Sequence, residues 1–189
     1  MLSVTTSGCT GFPNRRQQAD AIVATLRATQ GVESVHPNYV DGIDRGASFE
    51  VGVEVDRAVG APALADIGRQ FVEQVDRADF TDHLLSLAIG FPSSGPGSDW
   101  NNRSGASCNL ADDGGARLED VTADQVGADL RFWIEVVNFP GVASVELHRP
   151  AQQGSRDGRS RVVYARVVDG NAGNVLQTRY PELQGHWQT

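Results

Sequence analysis

The chain has 189 residues, 40% of them hydrophobic, with a mean hydropathy of -0.30 and a formal net charge of -8. That length makes one domain or two small ones and is enough to bury a core. No apolar run approaches the roughly 18 residues that a membrane-spanning helix requires, and the acidic balance argues against nucleic acid as a partner, since that needs a cationic surface.

In chain order, a short strand is expected near Leu2 to Thr6. A helix then begins at Asn14, preceded by Pro13 and with Gln17 in the third position, the pattern of a capping box. Ala19, Ile22, Val23 and Leu26 share one face of it, and it stops before Gly31. Val32 and Val35 open a strand that ends in the turn chemistry of Asp41 to Gly46. Phe49, Val51, Val53 and Val55 then alternate with Glu50, Gly52 and Glu54, which is a strand with one wet face. Pro62 suits a first helical turn, followed by the stripe Leu64, Ile67, Phe71, Val72 and Val75. Leu84 to Phe91 reads as a buried strand. Residues 1–92 thus read β-α-β-β-α-β, the order of a ferredoxin-like split βαβ unit.

Residues 93–105 are rich in Gly, Ser and Asn and read as a linker, in which Trp100 is expected to pack back onto a domain. Residues 106–189 form the second unit. A strand is expected near Ala116 to Val121, then a helix from Thr122 with Gln125 as its capping-box partner. Val126, Leu130, Trp133, Ile134 and Val137 make its apolar face, and Pro140 helps end it. Val142, Val145 and Leu147 form one strand, and Arg161 to Asp169 the next. Asn171 to Leu176 has room for a single helical turn before Pro181 and Gly185, so the second copy reads as incomplete, a βαββ unit with a short tail. Gly31-Val32-Glu33-Ser34-Val35 recurs as Gly141-Val142-Ala143-Ser144-Val145, each time after an amphipathic helix, so the chain carries an internal repeat. The fold expected is α+β: tandem ferredoxin-like repeats, the second incomplete, with antiparallel sheet and helices on one face. Whether the halves share one sheet or pack helix layer on helix layer is left open.

Motifs for catalysis are missing. All 16 basic residues are arginine. Without a lysine there is no P-loop lysine, no Schiff-base amine and no kinase β3 lysine; the arginine codons of a GC-rich genome account for the bias. His36, His83, His148 and His186 form no His-x-x-x-His pair. Asp79, Asp82 and His83 cluster, but as a solvated turn before a strand. No Gly-x-Ser-x-Gly elbow occurs, and Asp112-Asp113 and Glu119-Asp120 are sequence neighbours in turns rather than carboxylates set across a cleft. No catalytic residue, metal or cofactor is assigned.

Two features bear on partners and address. Arg149, Arg156, Arg159, Arg161 and Arg166 face Asp157 alone over residues 149–166, a basic island in an acidic chain suited to an anion or an anionic partner. The other is Cys9. The two cysteines, Cys9 and Cys108, are too few for an all-cysteine zinc site or an iron–sulfur cluster, though an exported chain could join them. A thiol before the first helix suits a metal-transfer domain, but Cys9 lacks the second sulfur of a Cys-x-x-Cys. Thr6-Ser7-Gly8-Cys9 is similar to a lipobox, with Thr6 where Leu or Val is usual and only eight residues ahead of the cysteine. With the arginine-only composition, the chain resembles small actinobacterial lipoproteins of unknown function. That resemblance implies lipidation of Cys9, an extracytoplasmic membrane-anchored address, and a Cys108 that is buried and inert. The function expected is a non-enzymatic cell-envelope protein that binds a protein partner or small ligand. Kept beside it are a hydrolase or metal-dependent enzyme assembled from distant Asp, His and Arg residues, and a cytoplasmic address.

Overall fold

The apolar stripes read from the sequence become helices laid on a single sheet. The computed structural model describes residues 14–42, 46–80, 83–92, 105–109, 121–149, 161–183 and 186–189. In order these form α1 (Arg16–Arg27), β1 (Val32–Gly42), β2 (Gly46–Val55), α2 (Ala61–Arg77), β3 (His83–Gly90), β4 (Gly105–Asn109), α3 (Ala123–Val137), β5 (Val142–Arg149), β6 (Val162–Val167), α4 (Gly170–Arg179), a 3₁₀ turn (Pro181–Leu183) and β7 (Trp187–Gln188). The fold is α+β, a seven-stranded mixed sheet with four helices among the described residues.

The strand order corrects the expected antiparallel, split βαβ arrangement. The strands lie in sequence order from β1 to β7. Hairpin partners β1–β2 and β5–β6, and the pair β3–β4, are antiparallel. The pairs joined by a crossover helix, β2–β3, β4–β5 and β6–β7, are parallel and adjacent. A split βαβ unit would leave another strand between them. Gly105, the last residue of the expected linker, is the first residue of β4, which bonds to both halves. The halves therefore share one sheet, and α2 also packs on α3 through glycine. A Cβ on Gly68 would come within 2.5 Å of Leu130, and one on Gly127 within 3.1 Å of the Ala65 carbonyl. Trp100 and the strand expected at Leu2–Thr6 lie outside the described residues, as do residues 116–120 of the other expected strand; Val121 precedes α3 without strand structure.

Register explains the core. Val35, Val53, Ile89, Ala106, Leu147 and Val163 form one unbroken row across six strands, and all six are buried. The helix stripes cover this row with Ile22, Leu26, Leu64, Phe71, Val126, Leu130 and Trp133. Burial of that apolar area is the main favourable term in folding.

The two αββ segments match in their turns. Gly31 has φ +87° and Gly141 φ +83°, a region that side chains disfavour. A Cβ on either would also collide, with Val59 at 2.7 Å or Ala172 at 2.6 Å. The Asp56 amide donates to the Gly31 carbonyl and the Val168 amide to the Gly141 carbonyl, both at 2.9 Å. Each first strand then shifts register at the same place, between Val32 and Ser34 and between Val142 and Ser144.

The second half is not truncated. Asp169 caps α4 by accepting from the Ala172 amide at 2.8 Å, and α4 runs ten residues. Its glycine lets Trp187 of β7 lie against the helix: a Cβ on Gly173 would sit 2.5 Å from that ring. The sequence shows only one turn of this helix, over Asn171 to Leu176, because it carries few apolar residues; of its ten, Gly173 and Leu176 are buried. The capping box at Thr122 and Gln125 forms as read, with bonds of 3.2 and 2.8 Å. The first helix instead starts at Arg16, whose amide is held by Asn14 Oδ1 at 3.0 Å.

Candidate functional site on the open face of the sheet

The basic island splits between the two faces of the sheet. Arg149 ends β5 on the helix side and is buried, with Nε donating to Asp129 Oδ2. Arg161 donates from Nη1 to Asp129 Oδ1 at 3.0 Å and from Nη2 to Glu182 at 2.8 Å, and lies 4.2 Å from the centre of the Phe132 ring. Partial burial works against the Arg161 cation, but the bonds to Glu182 and Asp129 outweigh it and hold its pKa above the ordinary arginine value. Asp129 is thus spent on tying α3 to β5 and to the start of β6, and Arg161 extends the tie to the 3₁₀ turn through Glu182. Arg149 and Arg161 converge, but on a carboxylate of the chain itself. Arg156 and Arg159 lie outside the described residues, as does Cys9. Arg166 stands apart, exposed on the opposite face of the sheet.

Cys108 sits beside Arg149 in the β4–β5 register and is fully buried. Burial first, and Asp129 next, push its thiol up to about 12, with Arg149 opposing. It is therefore a neutral thiol near pH 7, and thiols react as thiolates.

No described helix covers the other face. The row His36, Gly52, Ala88, Ser107, His148 and Val162 crosses it, and beside it runs the row Ser34, Glu54, Gly90, Gly105, Glu146 and Tyr164. The middle strands supply small side chains, so polar groups stand at either end. At the β1–β2 end these groups bond one another: Ser34 donates to Glu54 at 2.6 Å, and its Oγ lies 2.8 Å from His36 Nε2. Asn38 donates to Glu50 at 3.2 Å.

The β5–β7 end is built on the same plan with different residues. Ser34 faces Glu54 and His36 faces Gly52; the corresponding pairs are Ser144 with Arg166 and Glu146 with Tyr164. The change from Gly52 to Tyr164 raises a wall, and Tyr164 is 54% exposed with its ring 5.8 Å from that of His186. Ser144, Glu146, Tyr164, Arg166 and Gln188 surround a depression of about 200 Å³ floored by Ala165. Among the described residues, neither Glu146 nor Arg166 forms an ion pair or a side-chain hydrogen bond. Of this site the sequence singled out Arg166 alone. Glu146 and Tyr164 were legible only as alternate positions on strands; their meeting depends on register.

Other candidate residues are used structurally. His83 is buried rather than solvated, 5.0 Å from the Phe80 ring centre and with Nε2 3.4 Å from Tyr39 Oη. Asp79 pairs with Arg15 at 3.4 Å, and Asp82 lies outside the described residues. Among the described residues no three His, Cys, Asp or Glu side chains gather as metal ligands. Ser107 Oγ and His148 Nδ1 are 2.8 Å apart on the open face. No family model, curated protein or solved structure matches this chain.

Proposed function

We propose that the chain is a non-enzymatic binding module of the cell envelope that takes a small polar ligand on the open face of its sheet. The observation that carries this reading is the depression at β5–β7. It holds an arginine and a glutamate that find no partner among the described residues, while the equivalent positions at β1–β2 are closed by their own hydrogen bonds. Unspent polar groups converging on one concavity are the usual mark of a binding site. The address rests on Thr6-Ser7-Gly8-Cys9: acyl chains on Cys9 would tether the chain, at about 0.8 kcal/mol per buried CH₂. Mass spectrometry of the protein from its native cells would then find Cys9 acylated at a new N-terminus, and an uncleaved Met1 would end the idea.

Of the two Ser–His contacts among the described residues, Ser34–His36 has its hydroxyl proton donated to Glu54, and Ser107–His148 is the one that favours a hydrolase. Against it, β4 is paired on both edges, so its amides are committed to the sheet and no pair of free donors awaits an oxyanion there. The test is a titration of the labelled protein, followed by amide shifts, with a panel of small anions, cations and zwitterions. Shifts are expected over residues 144–146, 164–166 and 186–188. A panel that moves only helix amides, or none, would refute binding at the open face, and phosphonate labelling of Ser107 would establish the enzyme instead.

A further inference from the structure

The depression sorts its charges by row. Ser144, Arg166 and Gln188 are register partners across β5, β6 and β7, so a hydroxyl, a guanidinium and an amide stand in one line. Glu146 and Tyr164 are partners in the next line on this face, with the His186 ring against Tyr164. The lines are two residues apart along the strands, roughly 6.5 Å. One end therefore offers donors to a carboxylate. The other offers a carboxylate and an aromatic face to a cation. Glu146 disfavours a bare dianion, and Arg166 disfavours a bare amine, by like-charge repulsion. Ammonium and carboxylate on one carbon, with a hydrogen bond of about 2.8 Å at each end, can reach between flexible side chains carried on neighbouring lines of this face. The volume of about 200 Å³ is below that of pockets for drug-sized ligands.

We infer that this depression binds an α-amino acid as its zwitterion, the carboxylate on Arg166 and the ammonium on Glu146, with the side chain laid along Tyr164; the inference rests on the open-face reading. The β1–β2 end has no equivalent capacity: its serine faces Glu54 in place of an arginine, and a glycine stands where Tyr164 makes the wall.

The experiment titrates the full chain with L-phenylalanine, N-acetylphenylalanine and phenylalaninamide, reading amide shifts at 144–146, 164–166 and 186–188. Free phenylalanine is expected to saturate these shifts, and blocking either charge to weaken binding about tenfold. Glu146→Gln should abolish the discrimination against the acetylated form, and Arg166→Gln the discrimination against the amide, each leaving the other intact. That cross-pattern separates recognition from a loss of folding. Equal binding of all three compounds, or no shift with phenylalanine, would overturn the zwitterion. If simple anions or cations move β5–β7 amides while phenylalanine does not, the zwitterion falls and open-face binding stands. If no compound class moves them, both fall.

Discussion

Replacing Asp129 by alanine is expected to lower the free energy of unfolding by about 3–5 kcal/mol, measured by urea denaturation. Asp129 has a side chain 2% exposed and accepts from Arg149, whose side chain is 4% exposed, and from Arg161. Without it the Arg149 charge stays buried with no partner among the described residues, where its Nη1 already lacks a hydrogen bond. Arg161 loses less, because it keeps Glu182 and reaches solvent. Against a typical total stability of about 5–15 kcal/mol, the variant would be partly unfolded in mild denaturant. The companion change Asp129→Leu with Arg149→Met removes both charges together and should recover most of the loss, since the desolvation cost goes with the pair. A loss below about 1 kcal/mol in the alanine variant would mean that water reaches this cluster and that the pair does not hold α3 to β5.

Trp133→Ala is expected to cost about 3–5 kcal/mol by the same measurement. The indole is fully buried, its Nε1 donates to the Val145 carbonyl at 3.2 Å, and its ring lies 5.2 Å from that of Phe91. It fills the space between α3, β5 and the residue that follows β3, so its removal opens a cavity where the two halves meet. Trp133→Phe keeps most of the ring volume and should lose substantially less. Equal losses for the two variants would place the cost in the Nε1 hydrogen bond rather than in packing.

Local signals in the sequence carried a good part of this fold. The stripe of α2 and the alternation of β2 are buried where they were read, because periodicity records which side of an element meets the core. The recurrence of Gly-Val-x-Ser-Val marked equivalent turns because a positive φ and a close approach both demand glycine there. Strand order was not legible: alternation does not say which strand is a neighbour, and split and adjacent βαβ units read alike. The helix α4 was legible only as a single turn over Asn171 to Leu176, because it packs through Leu176 and a glycine under Trp187 rather than through a full apolar stripe. The basic island was legible as charge and illegible as structure. Arg149, Arg161 and Arg166 differ by which face of the sheet they leave from and by what waits there. The sequence does carry one mark of the buried pair: Asp129 falls on the apolar stripe of α3 between Val126 and Trp133, a place for a carboxylate only if cations come to meet it.

The central claim is that the two faces of the sheet have separate tasks, the helix side holding the fold and the open face left free to bind. The urea midpoint of a Glu146→Gln, Arg166→Gln double variant, set beside that of Arg149→Gln, tests this most directly. The double variant should unfold at the midpoint of the unaltered protein, since its side chains make no bond within the described fold, while Arg149→Gln shifts the midpoint far down by leaving Asp129 buried with its charge half-paired. A double variant as destabilised as Arg149→Gln would contradict the claim, for it would show that Glu146 and Arg166 are spent on folding and are not available to a ligand.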